Sequence, residues 1–330
     1  MPPTLTNISL IKNAQKNIKD VVVKSSVELN EYYSSKFQSN IYFKREDLQK
    51  VKSFKIRGAY NKISLLSKNN LNKGIVCASA GNHAQGFAYA CKKLNIHGTI
   101  FMPIPTPQQK VDQVKKFGSN NVEIILIGEK YDDAHNSALS FSKNNNMTYI
   151  HPFDDIDVIN GQATLFLEIL EQIKNNIDYL FVPIGGGGLI SGAITVFKQL
   201  SPKTKIIGVE TVGAPSMFIS LKNKKNTTLK SIDIFVDGAA VKKVGEISYK
   251  LCDKYLDDII LVSEEEICHT LIKLHKKNIK VEPAGAMSVS GLRQYKHELI
   301  GKNVVCIICG ANNDKKRMPE ILIRANRWIG

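Results

Sequence analysis

An α/β fold built on parallel sheets, in two domains, is what the sequence predicts, and three observations carry it. From residue 74 onward, apolar runs of strand length alternate with segments whose apolar residues recur every three or four positions. Between successive runs there is enough chain for the crossover helix that parallel neighbours require. The 330 residues, at about 100–200 per domain, leave room for two domains with cores of their own.

The predicted strands are 74–79, 97–103, 121–128, 147–151, 178–184, 205–210, 258–263 and 303–309. QATLFLEILEQIKNN and EEEICHTLIKLHKKN are typical of the amphipathic segments between them. Upstream, Ile8, Ile11, Ala14 and Ile18 are spaced as one helix face, and Ile56, Ala59, Tyr60, Ile63 and Leu66 repeat that spacing. Residues 144–146 and 222–226 read as polar loop tips. The chain has no internal repeat and no Pro/Ser linker, so composition alone does not mark a domain boundary.

Composition narrows function before any motif is read. With 43% hydrophobic and 23% charged residues, the chain has the makeup of a globular protein. No run approaches eighteen apolar residues, so no membrane partner is expected, and the first twenty residues lack the apolar core of a signal peptide. A net charge of +15 would ordinarily raise nucleic-acid binding. Only six of the 45 basic residues are Arg, however, and the Lys are scattered among Asn rather than interleaved with Arg and aromatics; no nucleic-acid partner is expected. The six Cys sit in apolar runs at irregular spacing, unlike a disulfide framework, which points to a reduced, cytoplasmic setting. Cys306 and Cys309 form a CxxC, but on a strand positions i and i+3 face opposite ways, and no metal is expected.

Four segments carry candidate chemistry. Ser53-Phe54-Lys55-Ile56-Arg57-Gly58-Ala59 opens a helix with Ser53 as its expected cap. Lys55 then falls in the first turn beside Phe54, where desolvation and the helix dipole favour the neutral amine that a Schiff-base lysine needs. Taken alone it is one of 39 Lys, and a solvated side chain is the simpler account. Ser79, Ala80, Gly81, Asn82 and His83 form a strand-to-helix turn whose free N–H groups suit a carboxylate or phosphate; Asn82 is an added donor or, equally, a plain helix cap.

Gly185, Gly186, Gly187, Gly188 and Leu189 join a strand to a helix, and consecutive glycines there can wrap an anion with backbone N–H groups. Ile190 stands where G-x-G-x-x-G needs its third glycine, and no GK[ST] follows, so dinucleotide and P-loop nucleotide binding are both disfavoured. Cys309-Gly310-Ala311-Asn312-Asn313 ends the last strand, where open α/β sheets place ligands.

In order and spacing, SFKIRGA, ASAGNHAQG, PIGGGGL and CGANN resemble the pyridoxal-phosphate enzymes of the tryptophan-synthase β-like family, fold type II. YFKREDLQ (42–49), DGAAVKKVGE (237–246), KYLDDII (254–260) and EPAGA (282–286) extend the likeness over nearly the whole chain. The resemblance implies two open twisted parallel-sheet domains, a large one of 1–48 and 153–330 and a small one of 49–152, with pyridoxal 5'-phosphate in the cleft between them. It implies Lys55 as the catalytic, cofactor-linked lysine with Phe54 beside it. Gly185, Gly186, Gly187, Gly188 and Leu189 then hold the phosphate, Asn82 the ring hydroxyl, and Cys309 faces the pyridine nitrogen where most relatives carry Ser. Ser79, Ala80, Gly81, Asn82 and His83 receive the substrate carboxylate.

The implied reaction is β-elimination of L-threonine to 2-oxobutanoate and ammonia, the first step of isoleucine biosynthesis, with L-serine as a further substrate. A homodimer or homotetramer is implied as the assembly. Serine racemisation and L-serine dehydration are the alternatives within the family. Racemases carry Ser where this chain has Ala80, and a second acidic residue where it has Ser216 after Glu210; both departures favour elimination. Ser25-Ser26-Val27 stands where relatives read Thr-Pro-Leu. With 21 residues after Cys309, no C-terminal ACT-like regulatory domain is expected.

Overall fold

A computed structural model describes residues 5–329. The chain opens with α1 (Ile8–Ile18), β1 (Val27–Leu29), α2 (Glu31–Phe37) and β2 (Asn40–Arg45). Helices α3 (Lys55–Ser64) and α4 (Lys68–Asn72) lead into β3 (Ile75–Ala78), α5 (Asn82–Leu94), β4 (Gly98–Met102), α6 (Gln108–Gly118), β5 (Val122–Leu126), α7 (Tyr131–Asn144) and β6 (Thr148–Tyr149). Then come α8 (Ile156–Gln172), β7 (Tyr179–Pro183), α9 (Gly188–Leu200), β8 (Lys205–Thr211), α10 (Ser216–Lys222) and α11 (Glu246–Tyr255). The last elements are β9 (Asp258–Val262), α12 (Glu264–Lys276), α13 (Pro283–Ser290), β10 (Asn303–Ile308) and α14 (Met318–Arg327).

The strands form two sheets, ordered β1-β2-β10-β7-β8-β9 and β5-β4-β3-β6. Only β1 pairs antiparallel, with β2; every other neighbour is parallel. In the larger sheet the chain steps outward from β7 to β8 to β9 and returns on the other side as β10. In the smaller it steps from β3 to β4 to β5 and returns as β6. Each sheet therefore has one point where strand order reverses, and a crevice opens there at the carboxyl ends. Residues 184–189 and 309–313 border the first crevice; residues 79–83 and 150–153 border the second.

All eight predicted strands are present, each within a few residues of its expected bounds. β1 and β2 lie outside the predicted set. β1 is short and largely exposed, and β2 (NIYFKR) buries Lys44 and Arg45, so neither shows a regular apolar pattern. α1 buries Ile11, Ala14 and Ile18 as its spacing requires. One core covers the larger sheet, centred on side chains such as Phe166, Phe181 and Phe197; another, with Ile75, Phe87 and Ile100, covers the smaller. Burying each such side chain contributes about 1.5–3 kcal/mol.

A second departure concerns α3. Its apolar spacing predicts one buried face, yet Arg57, Gly58 and Asn61 are buried as well. Arg57 enters a dry cluster with Lys44, Glu46 and Glu168, contributed by β2, the turn after it, α3 and α8. Two acids and two bases leave the cluster neutral, and Ser25 Oγ and Thr164 Oγ1 supply further hydrogen bonds. Burial alone would raise the Glu46 carboxyl, but Arg57 and Lys44 outweigh it and hold the group below its usual range.

Candidate active site

The first turn of α3 is tied to the end of β10. Phe54 N–H donates to Cys309 O at 3.2 Å, and Ser53 bridges Gly310. Ser53 does not cap the helix as expected: Phe54 occupies the cap position without a side-chain bond, and the buried Ser53 hydroxyl has no hydrogen-bond partner among the described residues. Tertiary pairing to β10, rather than a cap, fixes where α3 begins.

Lys55 follows and reaches into a narrow cleft. The cleft is lined by Phe54, Lys55, the glycine run with Leu189, and Cys309, together with Phe153, Pro183, Gly238, Ala239 and Ala284. Lys55 Nζ donates to Pro152 O at 2.9 Å and lies 5.4 and 6.0 Å from the Phe54 and Phe153 ring centres. Burial lowers its pKa to about 8, slightly opposed by Cys309. An appreciable fraction of the amine is therefore neutral near neutral pH.

The glycine run shapes the opposite wall. Gly187 takes φ +96°, a left-handed conformation that other residues resist. A Cβ on Gly186 would run into the Phe153 ring, and one on Gly185 would sit 2.9 Å from Ala239 Cα. α9 starts at Gly188, so the unpaired N–H groups of a thirteen-residue helix point back toward the run. Cys309 is buried, and its thiol is pushed well above the usual range by burial and then by Glu282, so it is neutral. Cys306 turns the other way, into the core, with Sγ directed at Ser288 O.

The turn after β3 is set apart from these residues. Ser79, Ala80, Gly81, Asn82 and His83 do not line the cleft itself; they border the neighbouring crevice of the small sheet. Gly81 N–H donates to Ser79 Oγ at 3.2 Å, and a Cβ on Gly81 would meet only open space. Gly81, not Asn82, is the cap of α5. The Asn82 amide is held by two partners: Nδ2 donates one hydrogen to Glu282 at 2.6 Å, and Oδ1 accepts from Asn312 Nδ2 at 2.7 Å. His83 is buried with Nε2 3.1 Å from Ile150 O; burial, then Lys55, lowers its pKa to about 3, so the ring is neutral.

Glu282, Asn312, Pro152 and Phe153 were assigned no part by the motifs. The segments EPAGA and CGANN contain the first two, but nothing in their spacing tells which side chains turn toward Asn82. Pro152 contributes only a carbonyl, which leaves no trace in a sequence. Of the racemase-type cation pair, Glu210 accepts from Met217 N–H and Phe218 N–H at 2.8 Å each, and Ser216 Oγ donates to Val241 O.

The cleft suits pyridoxal phosphate. The cradle is kept free by glycines whose added Cβ atoms would collide with their surroundings, a helix N-terminus faces the place for a phosphate, and a lysine with a lowered pKa stands opposite.

Comparison with known proteins agrees with this geometry. The family model described as pyridoxal-phosphate dependent enzyme matches residues 26–310. The chain is 53% identical over 318 residues to the biosynthetic L-threonine dehydratase IlvA of Halalkalibacterium halodurans, covering 96% of this chain and 77% of that one. Among solved structures it is similar to the processed form of threonine deaminase isoform 2 from Solanum lycopersicum, at 39% identity and a TM-score of 0.91, covering 99% and 93% of the two chains. Maize serine racemase is also similar, at 30% identity and a TM-score of 0.89, covering 97% and 98%. With a family match over most of its length and the cleft at the switch points of its sheets, the chain belongs to the pyridoxal-phosphate dependent enzymes.

Proposed function

We propose that the chain eliminates water from L-threonine and releases 2-oxobutanoate and ammonia, the first step of isoleucine biosynthesis, and that it also accepts L-serine. The observation that carries this is Lys55, held with a pKa of about 8 across the cleft from the glycine run, in a chain 53% identical to a biosynthetic threonine dehydratase.

Bound in the cleft, pyridoxal phosphate supplies an electron sink for the pair left at Cα when an amino acid attached to it loses its Cα proton. The chain's own residues do the rest. The backbone N–H groups of Gly185, Gly186, Gly187, Gly188 and Leu189 hold the phosphate at the start of α9. The turn of Ser79, Ala80, Gly81, Asn82 and His83 receives the substrate carboxylate, and the open face of Gly81 leaves room for it. Neutral Lys55 takes the Cα proton as general base. The β-hydroxyl leaves as water, its extra proton balanced by the one Lys55 took from Cα; the released enamine tautomerises and is hydrolysed by one water to 2-oxobutanoate and ammonia.

Cys309 is the residue proposed beside the ring nitrogen, with Phe54 against the ring and Asn82 at its hydroxyl. A neutral thiol there would put no negative charge beside the ring nitrogen, which would leave the ring a weaker electron sink and favour prompt loss of the β-hydroxyl. Racemisation needs a second acid–base group opposite the lysine, and Ala80 cannot transfer a proton.

The domain division at 48/49 and 152/153 fits the sheets, since every strand of the smaller one lies within 75–149. A cytoplasmic setting is supported by six free, buried cysteines, and the family resemblance supports a homodimer or homotetramer. No described helix is long and apolar enough to cross a membrane.

The test is product identity. The holoprotein given L-threonine should release 2-oxobutanoate and ammonia in equal amounts; accumulation of an epimerised amino acid without keto acid would replace this reading with racemisation.

A further inference from the structure

Glu282 is the cap residue of α13, yet its side chain makes no bond to that helix. It turns instead into the gap between the two sheets, 4% exposed, behind Gly238, Ala284 and Cys309 of the cleft wall. Its Oε1 accepts from Asn82 Nδ2 at 2.6 Å and its Oε2 from Asn312 N–H at 2.8 Å. Asn312 Nδ2 donates to Asn82 Oδ1 at 2.7 Å and to Val51 O at 2.8 Å. The three residues close a ring that joins the small sheet, through Asn82, to the large one.

Donors and acceptors in this ring match one way round. A carboxylate can meet only the nitrogen of the Asn82 amide, and Asn312 Nδ2 only its oxygen. Both Asn312 Nδ2 hydrogens are used. One Asn82 Nδ2 hydrogen is used and one is left. The surroundings keep the carboxylate in place: an added Cβ on Gly310 would lie 2.6 Å from Glu282 Oε1, and one on Gly238 3.1 Å from it. Burial and then Asp237 raise the carboxyl to about 7, while Asn82 and Asn312 pull it down.

We propose that Glu282 is a positioning residue for the cofactor: with Asn312 it locks the Asn82 amide so that nitrogen, not oxygen, has a hydrogen left for the cofactor's ring oxygen. The proposal rests on the reading that Asn82 is the donor to that oxygen. Glutamine at 282 has one oxygen for two donors. Turning Asn82 over to meet its NH2 would set Asn82 Nδ2 against Asn312 Nδ2, which Val51 O pins.

The experiment titrates the apo forms of the wild type, Glu282→Gln, Glu282→Asp and Asn82→Ala with pyridoxal phosphate, reading the dissociation constant, the visible band of the bound cofactor and the apo melting temperature. Glu282→Gln is expected to weaken binding by about tenfold, the loss of one good hydrogen bond, and to shift the band as Asn82→Ala does, with Glu282→Asp recovering part of both. A Glu282→Gln protein with the wild-type band and affinity, whatever its melting temperature, overturns the role if Asn82→Ala alters both. If Asn82→Ala alters neither, the placement of Asn82 falls and the positioning role with it. Should Glu282→Gln fail to fold, Asn312→Ala, which removes the Asn82 Oδ1 partner without changing charge, must shift the band; an unshifted band overturns the proposal.

Discussion

The Arg57 guanidinium and the Glu168 carboxylate meet in a two-pronged pair, 2.7 and 2.9 Å, in a place water does not reach. Arg57 lies two residues after Lys55 on α3, and Glu168 lies on α8 of the large-sheet layer. The helix that carries the cleft lysine is thus held from its far side by a neutral ionic cluster.

Removing the guanidinium leaves two buried carboxylates with one cation, Lys44, between them. Arg57→Met should destabilise the apo chain by about 3–5 kcal/mol, read from denaturant unfolding. Arg57→Lys should recover little of it, because an ammonium cannot reproduce the fork to Glu46 and Glu168. A loss under about 1 kcal/mol would show that the cluster is not closed to water in solution.

Lys55 is placed at a cost to folding. Its folded pKa of about 8 lies below the ordinary 10.5, so between those values the unfolded chain holds a proton that the folded chain has shed. This contribution to stability therefore rises with pH across that window and is least below it. At pH 7 the apo form of Lys55→Met should be more stable than wild type, by on the order of 2 kcal/mol. Equal or lower stability of the variant would contradict the lowered pKa.

Gly186 and Phe153 are matched in shape. Gly186→Ala would put a methyl group into the Phe153 ring and should abolish cofactor retention, followed by visible absorbance after gel filtration. Gly186→Ala combined with Phe153→Ala should recover part of the binding. No recovery would mean that the glycine is needed for its backbone rather than for the space.

Much of this was legible in the sequence. Strands such as YLFVPI and VVCIICG are buried on both faces, and their unbroken apolar runs are visible without a structure. The glycine run, Phe54, Lys55 and Cys309 are adjacent to such strands or tied to them, and the structure brings them into one cleft. What stayed hidden was set by tertiary contact. Ser53 and Asn82 look like helix caps, a local role, but pairing with β10 and the Glu282 ring claim those positions instead. β2 escaped notice because Lys44 and Arg45 are interior charges that break its apolar run: Lys44 is satisfied by Glu168, far along the chain, and Arg45 by Asp47 and Glu28.

The Cys309 thiol is neutral, and so is a serine hydroxyl. Cys309→Ser should keep kcat on L-threonine within severalfold of wild type, whereas Cys309→Asp, which brings a negative charge to the cleft, should lower it much further. Equal rates in both variants would remove Cys309 from the account of the ring nitrogen.

The central claim is that the Lys55 amine, and no other among 39 lysines, is the one that holds the cofactor. Borohydride reduction of the holoprotein fixes the cofactor to the amine that carries it, and peptide mass spectrometry then locates it. The mass should appear on the peptide containing Lys55 and be missing from Lys55→Ala. A cofactor mass on any other lysine of the wild type would contradict the account.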